Sequence, residues 1–319
     1  MIHSDLHPEI LVKYNRNGLI EQEHRGFIIL ANREHAFDFV GDSKNYPFYL
    51  RSCAKPLQAS LLIDYGMDKF YNMTEEEIAL CSASHAGEKI HTDIAEKLLE
   101  KFGLEEKDLK CGLHRPLSKT RQAEMLINKE VETQLHNNCS GKHIMMLGIC
   151  KMKNWDLNTY YRPEHPLQQA IIKKINELCE VKHNYPMTTD GCGVPIVSMP
   201  LENMLTGYLN LFCNTKYQKI KNAFLNNPYI IGGEDRTDTF VIQNSHNIVA
   251  KVGAGGLCIV VNTEAEEAFV VKISDCDMKA RELVVCQVLN NLKWADIKID
   301  KTIKTLHGDI VGEIEIKAY

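Results

Sequence analysis

The feature that most constrains this chain is an order of blocks: period-two alternation at both ends, with helical periodicity between them. Residues 9 to 50 alternate apolar and polar side chains, as in LVKYNRN and RGFIILAN, with NRNG and ANREH as turns, which predicts antiparallel strands. From SCAKPLQASLLIDYG to about residue 226 the period is mostly helical. TEEEIALCSAS begins with a Thr N-cap, IHTDIAEKLLEKFG stops at a Gly, and PEHPLQQAIIKKINELC opens on prolines. After GGEDRTDTF the strand-like runs HNIVAKVGAGGLCIVV and EAFVVKI return, followed by a helix at DMKARELVVCQVLNNL and a last strand near IVGEIEI. Strands at both ends can bury their apolar faces only by joining one sheet. The expected fold is therefore α+β, an α/β sandwich with an antiparallel sheet built from both chain ends plus a helical lobe. Its sheet lobe would take about residues 1–51 and 230–319, and its helical lobe about 52–229, as a single domain.

Other properties narrow the function. At 319 residues the chain exceeds what one simple core usually holds, so a large two-lobed domain or two interlocked ones are expected. A net charge of −5, with scattered lysines and arginines, gives no basic field to attract nucleic acid. MIHSDLHPEI lacks the charged and apolar regions of a signal peptide, and no apolar run of about 18 residues could span a bilayer, so a cytoplasmic protein without a membrane partner is expected. Eleven cysteines, an odd number in such a chain, argue for reduced thiols rather than a disulfide framework.

Six stretches carry potential chemistry. RSCAKPLQ sets Ser52 three residues before Lys55 where a strand-like segment turns into a helical one, so both share a helix face. A neutral lysine can deprotonate a serine, but an unperturbed lysine is neutral only about once in a few thousand molecules at pH 7. The pair therefore has meaning only at a buried helix start. CSASHAGE holds Ser82, Ser84, His85 and Glu88 among small residues that would admit a ligand; polar caps at a helix end are the alternative. TTDGCGVP sets Asp190 and Cys192 in a glycine turn. HNNCSGKH places Cys139 near a helix start with Lys142 on the same face.

Cys139, Lys142 and Cys192 together offer two thiolates and one amine, an open zinc set, but paired C-x-x-C spacing is absent, and on the residues alone an ordinary buried thiol beside a solvated lysine is the simpler reading. GGEDRTDT supplies Arg236 and Asp238 in what reads as a loop before a strand, and AKVGAGG sets Lys251 at a strand end; a hairpin with surface charges is the alternative for both.

Taken in order, RSCAKPLQ, CSASHAGE, CGLHRP, HNNCSGKHIMM, RPEHPLQ, DGCGVP, GGEDRTDT and KVGAGG resemble the asparaginase II family of the Rhizobium type. The resemblance implies a fold similar to serine β-lactamases, penicillin-binding proteins and serine glutaminases, and a homodimer. It implies two Ser-Lys pairs, Ser52 with Lys55 and Ser84 with Lys251. It also implies a Zn2+ site of Cys139, Lys142 and Cys192 with Asp190 close by; zinc there is expected to tune affinity rather than perform the chemistry, because an amide attacked by serine needs no metal-bound hydroxide. Arg51, His85 and Glu88 fall on family motif positions and, with Asp190, would bind substrate. One position departs: the last motif usually reads K-x-G-A-E-G, and Gly255 stands here in place of the acidic residue. The activity implied is hydrolysis of the L-asparagine side-chain amide to L-aspartate and ammonia. A serine glutaminase or β-lactamase-like acylase is the runner-up, and a non-catalytic zinc-thiolate or ligand-sensing protein the reading from a different class.

Overall fold

The computed structural model describes residues 6–43 and 45–318. The outermost residues of the expected sheet lobe, 1–5 and 319, lie outside the described ones. The strands are β1 (Glu9–Arg16), β2 (Leu19–Asn32), β3 (Ala36–Val40), β4 (Phe48–Tyr49), β5 (Met187–Thr189) and β6 (Pro195–Met199). They continue as β7 (Ile248–Gly253), β8 (Leu257–Asn262), β9 (Glu267–Ile273), β10 (Thr302–Lys304) and β11 (Ile310–Ile316).

Eight of them form one antiparallel sheet in the order β10-β11-β1-β2-β9-β8-β7, with β3 on β2. Both chain ends meet in it, as the block order requires: Val12 faces Ile316 across β1 and β11, and Ile29 faces Val270 across β2 and β9. The NRNG turn closes β1 onto β2 with Asn17 at φ +48° and Gly18 at φ +83°, the two positive values that a right-twisted two-residue hairpin needs.

Every residue of β7, and all but the last of β8, is buried. Successive side chains point to opposite faces, so this end of the sheet is covered on both sides. The helices Leu201–Phe212 and Met278–Asn291 pack against β8 and β9. The second of these begins at an Asp277 N-cap, whose carboxylate accepts the Ala280 N–H.

The helix starts and stops read from sequence are present. Thr74 and Glu77 form a capping box at Glu75–Ser82, Gly103 ends Lys89–Phe102 in the left-handed conformation, and Pro166 opens Pro166–Leu178.

The middle is mostly helical, as its period indicates, and β4, β6 and β5 add a small second sheet, with β5 and β6 joined through the DGCG turn. PIVSM is buried at every position, and a short continuous apolar run carries no period that separates strand from helix. One expectation is corrected: GGEDRTDT does not lead straight into a strand. Thr237–Gln243 is a short helix that packs on β7, and it carries Asp238 into the interior.

Candidate active site

Ser52 sits in a 3-10 turn, Arg51–Cys53, that leaves β4 and runs into the helix Ala54–Asp64. Arg51 has φ +49°, a left-handed conformation that costs a non-glycine residue energy and is held by its surroundings. The Cys53 N–H bonds Leu50 O at 3.0 Å, Tyr208 donates its hydroxyl to Cys53 O at 2.7 Å, and Cys53 Sγ donates to Lys251 O at 3.3 Å. The last bond ties the turn to β7. Ser52 is half-buried, whereas Lys55, one turn later, is 1% exposed.

Burial pushes the Lys55 amine down, and the neighbouring cations Lys142 and Lys251 add to this; the Cys139 and Cys192 thiols oppose it, leaving the amine at about 8. Its Nζ donates to the backbone carbonyl of Asn138 at 2.7 Å.

Ser84 follows the helix Glu75–Ser82 in a loop held by Ser84 N–H to Ile231 O and by the Leu117 and Ser118 N–H groups to Ala86 O. Its hydroxyl donates to Ser52 Oγ at 3.3 Å, which brings the two serines of the separate motifs together. Close helix packing makes this possible. A Cβ on Gly141 would lie 2.1 Å from Leu80 O, so only glycine lets Ser140–Lys153 approach Glu75–Ser82 this tightly.

The expected partner of Ser84, Lys251, is bonded elsewhere. Its ammonium donates to Asp238 Oδ2 at 3.0 Å and to Val252 O at 3.1 Å, and both Lys251 and Asp238 are fully buried. Burial raises Asp238, but Lys251 and Arg236 more than offset this and hold its carboxyl below the usual range. Asp238 is thus no surface charge of a hairpin. Gly255, in the β7–β8 turn, has open space where a Cβ would point.

His85 is fully buried. Its Nδ1 accepts the Gly87 N–H, so its Nε2 carries the proton and donates to Ser140 Oγ at 2.9 Å. Burial, with His91 and Lys55 nearby, drives it well below its ordinary value, and the ring is neutral. Glu88 accepts from Tyr229 Oη at 2.5 Å and from the Glu234 N–H at 2.8 Å, so both carboxylate oxygens are engaged. Arg51 Nε donates to Asp190 Oδ1 at 2.8 Å. Burial raises Asp190, but Lys142 and Arg51 outweigh it and keep the carboxylate ionised.

Cys139 is the N-cap of Ser140–Lys153, with Lys142 on the first turn, and Cys192 lies in the hairpin between β5 and β6, where Gly193 takes φ +88°. The three side chains are buried together. Donating to Cys192, together with burial, pushes Cys139 up to about 12, and accepting that bond draws Cys192 down to about 5, so one sulfur is a thiolate. Burial lowers Lys142, but Cys139, Cys192 and Asp190 more than compensate and hold it as an ammonium. Among the described residues no group of three His, Cys, Asp or Glu is arranged to hold a metal; this set has two sulfurs and an amine.

A profile described as L-asparaginase II matches residues 12–316. The chain belongs to the L-asparaginase II family. It is therefore an asparaginase-type amidohydrolase with a small-molecule substrate. One solved structure that matches, the crystal structure of a β-lactamase from Mycobacterium bovis, is 12% identical, with 83% of this chain and 94% of that one covered at a TM-score of 0.42. Comparison with curated proteins finds no match. Among the described residues of this L-asparaginase II family member, no helix is long and apolar enough to cross a membrane. Sequence reading missed Asn138, for which the Asn-Asn doublet was a signal, and missed the depth of Asp238, for which there was none.

Proposed function

We propose that the chain hydrolyses the side-chain amide of L-asparagine with Ser52 as nucleophile and Lys55 as its base. The observation that carries this reading is the buried Lys55 amine, one helical turn from Ser52 and pushed down to about 8. Neutral Lys55 takes the Ser52 proton, Oγ bonds to the amide carbon, and the carbonyl electrons move onto oxygen. Collapse breaks the C–N bond, nitrogen leaves as ammonia after gaining a proton, and water then cleaves the acyl-serine to aspartate. The N–H groups of Cys53, Gly191 and Gly193 are already spent on Leu50 and Asp190, which removes three candidates for binding the oxyanion.

Because Lys55 must be neutral to act, kcat/KM should rise with pH through about 8 and level off above it. A flat profile between about pH 6 and pH 9 would exclude Lys55 as the base. Ammonia release from asparagine and glutamine, and the colour change on ring opening of a chromogenic β-lactam, test the substrate. Turnover of the last two without asparagine would favour the serine glutaminase or β-lactamase-like acylase, and asparagine binding with no ammonia a ligand sensor.

The donor set of Cys139, Lys142 and Cys192 fits zinc: two sulfurs, one already a thiolate, and an amine converge in a buried pocket. Bound there, the metal would supply positive charge beside Lys55, which favours the neutral amine, partly cancelled by the thiolates. Lys142 and Cys139 must each give up a proton to ligate, so zinc should weaken as pH falls. Replacing Cys139→Ser should abolish stoichiometric zinc, read by elemental analysis, and raise KM with the fold intact; retention of zinc would remove Cys139 from the site. The reading also has the protein as a cytoplasmic homodimer, which sedimentation equilibrium tests.

A further inference from the structure

The asparagine doublet at 137 and 138 divides into two tasks. Asn137 is buried and fully used. Its Nδ2 donates to Cys111 O at 2.9 Å and Gly112 O at 3.0 Å, and its Oδ1 accepts the Cys139 N–H at 2.9 Å. These bonds pin the backbone just ahead of the helix Ser140–Lys153 and so hold residue 138 in place.

Asn138 is half-buried and touches two of the reacting groups at once. Its backbone carbonyl accepts from Lys55 Nζ at 2.7 Å, and its side-chain Nδ2 donates to Ser84 Oγ at 3.4 Å. Ser84 Oγ in turn lies 3.3 Å from Ser52 Oγ. A hydroxyl has one proton, and an amide nitrogen can only donate. Ser84 must therefore accept from Asn138, which leaves its proton for Ser52. A neutral amine has two N–H groups and one lone pair, so spending an N–H on the Asn138 carbonyl turns the lone pair away from that carbonyl.

We propose that Asn138 is the positioning residue of this centre: its side chain aims the Ser84 proton at Ser52, and its carbonyl orients the Lys55 amine. The proposal rests on the Ser-Lys reading of the site. With Ser84 donating, the proton of Ser52 is free to go to Lys55, and the attacking oxygen carries a hydrogen bond as its charge grows. The bonds at 3.3 and 3.4 Å are long, as catalytic hydrogen bonds often are before substrate binds.

The test compares Asn138→Ala, Asn138→Asp, Ser84→Ala, the double variant Asn138→Ala/Ser84→Ala and Ser52→Ala by steady-state ammonia release from asparagine. Asn138→Ala keeps the carbonyl and loses only the amide donor, so kcat should fall roughly threefold to tenfold with KM nearly constant. Asn138→Asp has the same shape but accepts only; it turns the Ser84 proton away from Ser52, and kcat should fall about a hundredfold. Since Asn138 acts through Ser84, adding Asn138→Ala to Ser84→Ala should change kcat by less than about twofold. A side chain with a merely structural role would multiply its effect in the double variant, and that result overturns the proposal. So does an Asn138→Asp protein as active as wild type, or an effect confined to KM. If Ser52→Ala is inactive while the double variant multiplies, only the role of Asn138 fails. If Ser52→Ala is fully active, the Ser-Lys reading fails and this proposal with it.

Discussion

Replacing Ser52 by Ala should lower asparagine hydrolysis by about 10^4-fold or more while leaving the fold and the proposed zinc ligands in place. A nucleophile has no partial substitute: without Oγ there is no acyl-serine, and what remains is the residual acceleration from binding and from polarising the amide. Ser52 is half-buried, and its turn is tied down by bonds that do not use its side chain, from Cys53 N–H to Leu50 O and from Tyr208 to Cys53 O. The melting temperature should therefore stay close to that of wild type. Lys55→Arg should be nearly as inactive, because a guanidinium cannot become the neutral base that an amine at about 8 becomes. Ser84→Ala should be milder, since Ser84 contributes a hydrogen bond to Ser52 rather than the bond-forming oxygen. A Ser52→Ala protein that retained full turnover would remove the acyl-serine from the reaction and turn attention to Ser84, 3.3 Å away.

Much of this was legible in the chain because the signals were local. Alternation at both ends required a shared sheet, and β1 does pair with β11. Ser52 with Lys55, and Cys139 with Lys142, are spaced to share one helical face, so residue spacing alone places each pair. What was not legible depends on distant partners. Nothing near Asp238 in sequence says that it will meet Lys251, because that meeting needs the helix Thr237–Gln243 to pack on β7. The hairpin of β5 and β6 is hidden because PIVSM is apolar throughout. Cys192 joins Cys139 only through that hairpin, so composition offered the zinc set as one possibility, and the family resemblance singled it out. The direction of the Ser84 hydroxyl lies below anything a sequence encodes locally: it follows from the amide of Asn138, on a different loop.

The largest stability effect should come from Asp238. Its carboxylate and the Lys251 ammonium are both 0% exposed and 3.0 Å apart, and Arg236 and Arg281 add further positive charge nearby. Asp238→Ala leaves a buried ammonium facing Val252 O with no counter-charge, and breaking a buried pair in this way costs about 3–5 kcal/mol. For a chain of this length, thermal unfolding should begin roughly 5–15 °C lower. The pH sign follows from the direction of the shift. The Asp238 pKa is depressed in the folded protein, so its contribution is present above the ordinary carboxylate value and is lost as pH falls through the folded one. Replacing both partners, Lys251→Met with Asp238→Leu, removes both buried charges and should restore most of the lost stability. That double variant separates two roles of Lys251. If its charge biases Lys55 toward the neutral amine, as its position among the cations around Lys55 implies, the repaired protein will melt normally yet turn over slowly, with its pH profile moved to higher pH. Normal melting together with normal turnover would make the Lys251–Asp238 pair a structural support, and Ser52 with Lys55 would carry the chemistry without a second lysine.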